Sequence, residues 1–204
     1  MIFLIAFFVV LSASFIGYFY TITHKPSVQL PIMGDPAHKV RDFSFTNQAG
    51  QNISQATTKG KIYVVEYFFA TCKGICPKMN ENLNSVYQQF KGNPNVLFLS
   101  HTVDPEEDSV AALAEYAKQF EADPKQWHFL TGDKKQLYDQ ARYSYLISAL
   151  DDTAGVSIDQ DFIHDNHFVL VDRHNRIRGM YDGLQPNEML RMIKDMQMLL
   201  KTDE

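Results

Sequence analysis

Cysteine is scarce in this chain: 204 residues hold two, Cys72 and Cys76, and one tryptophan, Trp127. Two are too few for a disulfide-built scaffold, so a packed core must hold the fold. Basic residues are also in short supply, with 19 Lys and Arg against 24 Asp and Glu for a net charge of −5. With no long basic run, the electrostatic footprint of a DNA- or RNA-binding protein is missing, and nucleic acid is excluded as a partner. Residues 1–24 carry no Asp, Glu, Lys or Arg at all. No internal repeat or low-complexity tract interrupts the remainder, and the length fits one domain.

The uncharged start, MIFLIAFFVVLSASFIGYFY, is long enough as a helix to cross the hydrocarbon core of a bilayer. Ser12-Ala13-Ser14 resembles a signal-peptidase site, which keeps a signal peptide as the rival reading. The apolar run continues past it through Phe15, Ile16 and Phe19, and Tyr18 and Tyr20 suit an interfacial belt, so an uncleaved anchor over 1–22 is expected. No cysteine lies near to carry a lipid. Pro26, Pro31, Gly34 and Pro36 make 23–39 a tether, and 40–204 is the expected domain.

Within the domain, hydrophobic patterning alternates strands with helices. Arg41–Phe45 and Gln51–Ser54 flank the turn residues Asn47-Gln48-Ala49-Gly50 and read as a hairpin. Lys61–Phe69, KIYVVEYFF, is apolar on both parities and predicts a central strand covered on both faces. Pro77 suits the first turn of a helix, and Met79, Leu83, Val86 and Phe90 follow at helical spacing. Asn95–Thr102 is a second buried strand, and Asp108 is expected to cap a helix reaching Phe120. Trp127–Leu130 reads as a strand, Asp133–Tyr145 as a helix, Ser148–Asp161 as a long loop, Phe168–Asp172 with Ile177–Tyr181 as a hairpin, and Pro186–Leu200 as a last helix. The fold class is α/β, a mixed sheet flanked by helices.

Both cysteines fall in Thr71-Cys72-Lys73-Gly74-Ile75-Cys76-Pro77, between the central strand and a helix start. Free N–H groups there stabilise a thiolate, and sulfurs four residues apart across a turn can share one ion or close a disulfide. A purely structural disulfide over so short a loop would add little chain-entropy stabilisation. Two soft ligands leave a site incomplete, so a third group must come from elsewhere. Of the seven histidines, His24 and His38 belong to the tether, His174 to a hairpin turn, and His128 to a short strand. His101 ends a sheet strand and could approach the cysteine edge, while His164 and His167 stand just before the strand that starts at Phe168.

The stretches KGKIYVVEYFFATCKGICPKMNENL, Thr102-Val103-Asp104-Pro105-Glu106, Trp127-His128-Phe129-Leu130-Thr131-Gly132 and DFIHDNHFVLVDRHNRIRGMYDG resemble the SCO/SenC family of copper proteins in order and spacing, over roughly 36–200. The resemblance implies a thioredoxin-like fold and an anchored domain outside the cytoplasm, on the periplasmic side if bacterial. It also implies copper held by Cys72, Cys76 and His164, the histidine six residues before Leu170, with His167 as runner-up. The chain departs from the family pattern at Lys73, where Pro is frequent, and at His174-Asn175, where the hairpin turn is commonly Asp-Gly.

Two thiolates and an imidazole are a soft, low-coordinate set that suits Cu(I) and can hold Cu(II). The resemblance implies a membrane-anchored copper chaperone serving the dinuclear copper site of cytochrome c oxidase subunit II, with an upstream copper donor or a thiol reductase as further partners. The alternative is a thiol–disulfide oxidoreductase for that site's cysteines, with Cys72 attacking and Cys76 resolving. Peroxide reduction fits the three-residue gap poorly. Glu66 is a candidate buried proton acceptor and Asp104 a candidate support for the ligands. Met79, and the stripe Met189, Met192 and Met196, are read as core.

Overall fold

The computed structural model describes residues 2–23, 30–147 and 165–202. The segment to Leu30 and the segment from Pro31 are two separate compact units. The first holds α1 (Ile2–Thr23), whose span Ile2–Tyr20, with mean hydropathy 2.4, is long and apolar enough to cross a membrane.

The second unit is built on a seven-stranded sheet in the order β2-β1-β5-β4-β3-β6-β7. The strands are β1 (Ser44–Asn47), β2 (Asn52–Ser54), β3 (Ile62–Phe68), β4 (Val96–Thr102), β5 (Trp127–Thr131), β6 (His167–Val171) and β7 (Ile177–Asp182). The helices are α2 (Gln55–Thr58), α3 (Cys76–Phe90), α4 (Val110–Lys118), α5 (Lys134–Tyr143) and α6 (Pro186–Lys201). β3 pairs parallel with β4 and antiparallel with β6, and every residue of β3 and β4 is buried, as expected of a sheet centre covered on both faces.

Alternation along the strands sorts the core into two layers. Tyr63, Val65, Tyr67, Leu99 and His101 pack with Phe45, Leu137, Tyr138 and Tyr145. On the other parity, Phe68, Phe98, Trp127 and Phe129 form an aromatic cluster with Tyr87, Tyr116 and Phe120. His101 belongs to the first layer, its ring stacked on Tyr67 at 4.9 Å and edge-on to Phe45 at 5.5 Å. It is therefore a core histidine, and the expectation that it approaches the cysteine edge is corrected.

Several boundaries differ from the sequence reading for local reasons. The first hairpin strand lies at Ser44–Asn47 because Asn47 N bonds Gln51 O and the Asn47 carboxamide accepts from Ala49 N and Gln51 N, closing the turn. Ser109, not Asp108, caps α4 by accepting from Ala112 N, and the Asp108 carboxylate is turned inward. From Pro31 the expected tether is bonded to the domain: Met33 N donates to Ile177 O, Val40 N to Asn175 O, and His38 Nε2 lies 2.8 Å from Ser144 O. Asn175, at φ 62°, supplies the left-handed turn residue where glycine is the usual choice. Met79, Met189, Met192 and Met196 are buried, as the packing stripe predicted. The loop Ser148–Asp161 and His24 lie outside the described residues.

Burial pushes the His101 imidazole down to about 3 from its ordinary 6.5, so the folded state keeps it neutral where the unfolded chain takes up a proton. Stability therefore falls as pH drops below 6.5 toward 3. His101→Phe keeps the stacking and removes that proton uptake. In denaturant titrations the variant is expected to gain on the parent protein by about 2 kcal/mol on moving from neutral pH to about pH 4.5. A constant difference across that range would refute the neutral core histidine.

Candidate metal centre

The central strand ends at Phe68, and α3 starts at Cys76, so the intervening turn is suspended between a fully buried strand and a helix start. Pro77 occupies the first turn of α3, where its missing N–H costs nothing. Cys72 N donates to Phe69 O at 3.2 Å, folding the turn back so that both cysteines face one cleft. That cleft, of about 330 Å³, is lined by both cysteines with Tyr67, Phe69, Ile75, Val103 and Asp165.

Both thiols are free, and they are not equivalent. Burial raises the Cys72 pKa, but donation from the Cys76 thiol and from the backbone N–H groups of Cys76, Gly74 and Ile75 outweighs it, and the net shift is downward. A sulfur held by successive amides at a helix start is a thiolate site. Burial pushes Cys76 up to about 12, reinforced by its hydrogen bond to Cys72 and by the nearby charges of Cys72 and Glu66; an N–H bond from Phe69 partly offsets this. The arrangement is a half-exposed thiolate acceptor with a buried thiol donating to it.

Behind Cys76, Glu66 is fully buried in β3. Trp127 Nε1 donates to Ser100 Oγ at 2.8 Å, and Ser100 Oγ donates to Glu66 Oε1 at 2.5 Å. Glu66 Oε2 has no partner among the described residues. Burial pushes this carboxyl up to about 8, against the lowering bond from Ser100, which favours its protonated form at neutral pH.

The other candidates divide. Asp104 does not line the cleft; its N–H donates to Thr102 Oγ1 at 2.9 Å and its carbonyl accepts from Asp108 N, the plain turn role. His128, buried 3.3 Å from Asn47 Nδ2 and lowered to about 4 chiefly by burial, is structural. His174 sits at the β6–β7 turn, its N–H bonded to Asp172 Oδ1. His167 Nδ1 lies 2.9 Å from Asp165 Oδ1, and Asp165 in turn lines the cleft. His164 lies outside the described residues. Among the described residues, no cluster of three His, Cys, Asp or Glu side chains could hold a metal, so the two cysteines are the described part of the site. Sequence reasoning missed Asp165 in the cleft and the inward turn of Asp108; the first needed knowledge of where the β6 entry runs.

Residues 33–201 match the family model described as SCO1/SenC. Over 161 residues the chain is 26% identical to the SCO1 protein homolog of Bacillus subtilis, covering 78% of this chain and 82% of that one. It is 32% identical over 133 residues to the mitochondrial SCO2 homolog of Mus musculus, covering 63% of this chain and 49% of the mouse protein, about half its length. Among solved structures, a SCO1/SenC family lipoprotein from Bacillus anthracis superposes with a TM-score of 0.70 at 24% identity, over 84% of this chain and 100% of that one. BsSco, described as a member of the Sco family of cytochrome c oxidase assembly proteins with a disulfide switch, gives 0.63 at 25% identity, over 82% and 97%. Copper-bound ScoI from Bradyrhizobium japonicum gives 0.60 at 23% identity, over 78% and 98%. The fold these structures share with this chain is thioredoxin-like.

The thiol asymmetry has a direct readout. Under anaerobic conditions near neutral pH, iodoacetamide is expected to modify Cys72 well before Cys76, with the site read by mass spectrometry. Cys76→Ala, which removes a donor to Cys72, is expected to slow Cys72 alkylation, while Cys76→Ser retains most of it. Equal rates at the two cysteines would contradict the assigned hydrogen-bond direction.

Proposed function

The chain belongs to the SCO1/SenC family, and from that premise we propose that it is a membrane-anchored copper carrier of cytochrome c oxidase assembly. Its relatives carry the assembly and copper assignments in their own descriptions. What supports the reading here is the sulfur pair itself: Cys72 and Cys76, in direct hydrogen-bond contact at one cleft, with one of them stabilised as thiolate.

In this reading Cys72, Cys76 and His164 bind one copper as cargo, as Cu(I) and also as Cu(II). The donor set fits, because two thiolates with an imidazole match the soft preference of Cu(I) and leave the ion too few ligands for a closed zinc site. Asp165, the residue after His164, lines the cysteine cleft, which supports the histidine assignment. Cargo passes by ligand exchange to the dinuclear copper site of cytochrome c oxidase subunit II: incoming thiolates replace Cys72 first, being the more exposed, then Cys76. The apolar helix Ile2–Thr23 anchors the chain, and the domain works outside the cytoplasm, supplied by a copper donor or kept reduced by a thiol reductase.

The same asymmetry favours a second reading, thiol–disulfide exchange on the acceptor's cysteines. An exposed low-pKa Cys72 would attack and a buried Cys76 would resolve, releasing a Cys72–Cys76 disulfide and a reduced acceptor. One experiment separates the two. Cu(I) is titrated into the reduced full-length protein in detergent against a competing chelator, with His164→Ala alongside. The carrier reading expects one tightly bound Cu(I) and a drop of more than about 100-fold in affinity for the variant, since even supporting residues of metal sites cost 10–100-fold. Weak binding, or binding indifferent to His164, would leave the exchange reading standing alone.

A further inference from the structure

The backbone between Phe68 and Cys72 has two consecutive amides with different duties. The Phe69 N–H donates to the Cys76 sulfur, and the Phe69 carbonyl accepts from Cys72 N at 3.2 Å. In the same peptide unit as that carbonyl, the Ala70 N–H donates to both carboxylate oxygens of Asp108, at 3.3 and 3.1 Å. Asp108 lies 38 residues along the chain, just before α4, and is buried. Its Oδ2 also accepts from Thr102 Oγ1, the last residue of β4, at 2.5 Å. Thr102 Oγ1 in turn accepts from Asp104 N at 2.9 Å, and Asp108 N donates to Asp104 O at 2.9 Å. A second tie runs alongside, Val103 N donating to Phe68 O at 2.8 Å.

This is more bonding than a helix approach needs. The cap of α4 is supplied by Ser109, so the Asp108 carboxylate is free of that task. A carboxylate with two donors aimed at it from different segments is a rigid fixture, because charge-assisted bonds are short and directional. It fixes the Phe69–Ala70 peptide, whose carbonyl meets Cys72 N, and with it the residue whose own N–H reaches Cys76.

We infer that Asp108, braced by Thr102, is a positioning residue for the cysteine pair: by holding Ala70 N–H it aims the Phe69 amide at the Cys76 sulfur and the Phe69 carbonyl at Cys72 N. Without it, the turn from Phe69 to Cys76 loses its tie to the segment before α4, and the amides around Cys72 converge less well on its sulfur. The consequence for copper affinity rests on the carrier reading above; the consequence for thiol reactivity does not.

The test uses the reduced full-length protein in detergent and four forms: parent, Asp108→Ala, Asp108→Asn and Thr102→Val. Asn is the conservative variant, because its carboxamide can still accept from Ala70 and meet Thr102. Two quantities are read, the pH profile of Cys72 alkylation and the Cu(I) affinity. Asp108→Ala is expected to move the profile to higher pH and slow Cys72 near neutrality by about threefold or more. Its Cu(I) affinity is expected to fall about tenfold, the range for a residue supporting metal ligands. Thr102→Val moves both readouts the same way by less, and Asp108→Asn stays near the parent. An Asp108 acting only through its charge would do the opposite, its removal making Cys72 more acidic in both the Ala and the Asn variants. The inference is overturned by that result, by an unchanged profile in Thr102→Val, by Asn falling as far as Ala, or by loss of fold in both Asp108→Ala and Thr102→Val on circular dichroism. Altered alkylation with unaltered copper affinity would uphold the positioning and count against the carrier reading instead.

Discussion

The site depends on a central strand that ends one turn before a helix begins, leaving backbone N–H groups with no carbonyl to pair with. At a helix start those donors must find an acceptor, and here the Cys72 sulfur takes three of them together with the Cys76 thiol. A thiolate is a far better acceptor than a thiol, so the vacancy left by the chain's geometry becomes a standing preference for the charged sulfur. The cost falls on Cys76, which is buried beside that charge and holds its proton up to about 12. Two identical side chains four residues apart thus acquire opposite tendencies from position alone.

Everything around the turn keeps it from relaxing. Beneath it, β3 is buried along its whole length between β4 and β6, so the strand end cannot move without disturbing the sheet centre. Beside it, the β4 exit is tied on through Thr102, Val103 and Asp108. At the opposite end of the sheet, beside the start of β3, the β6–β7 hairpin is closed by Asp172, whose carboxylate accepts from Arg176 Nε and Arg178 Nη1, each at 2.8 Å, and from the His174 and Arg176 amides. That hub replaces the missing glycine turn and fixes the strand that Asp165 leads into.

How much of this was legible in the sequence follows from which signals are local. The β3 run KIYVVEYFF, the helix start at Pro77 and the methionine stripe of α6 depend on neighbours in sequence, and all three are found as read. The α2 turn at Gln55–Thr58 escaped because four residues give no period to detect. Asp108 was misread because an acidic residue before a helix has the composition of a cap whichever way its side chain turns; Ser109 beside it satisfies the same rule, and only tertiary contact with Ala70 and Thr102 decides between them. Likewise, nothing in the pattern of 31–40 announces that Met33 and Val40 bond to the β7 side of the sheet, since backbone pairing leaves no compositional trace. The cysteines were legible as a pair, but their asymmetry required the burial and donors that only the fold supplies.

The central claim is that these two sulfurs are ligands of one copper ion. X-ray absorption at the copper edge of the protein loaded anaerobically with one equivalent of Cu(I) tests it most directly. The account predicts two sulfur neighbours and one nitrogen or oxygen neighbour in the first shell, falling to two sulfurs in His164→Ala. A first shell of nitrogen and oxygen alone, or with a single sulfur, would contradict it.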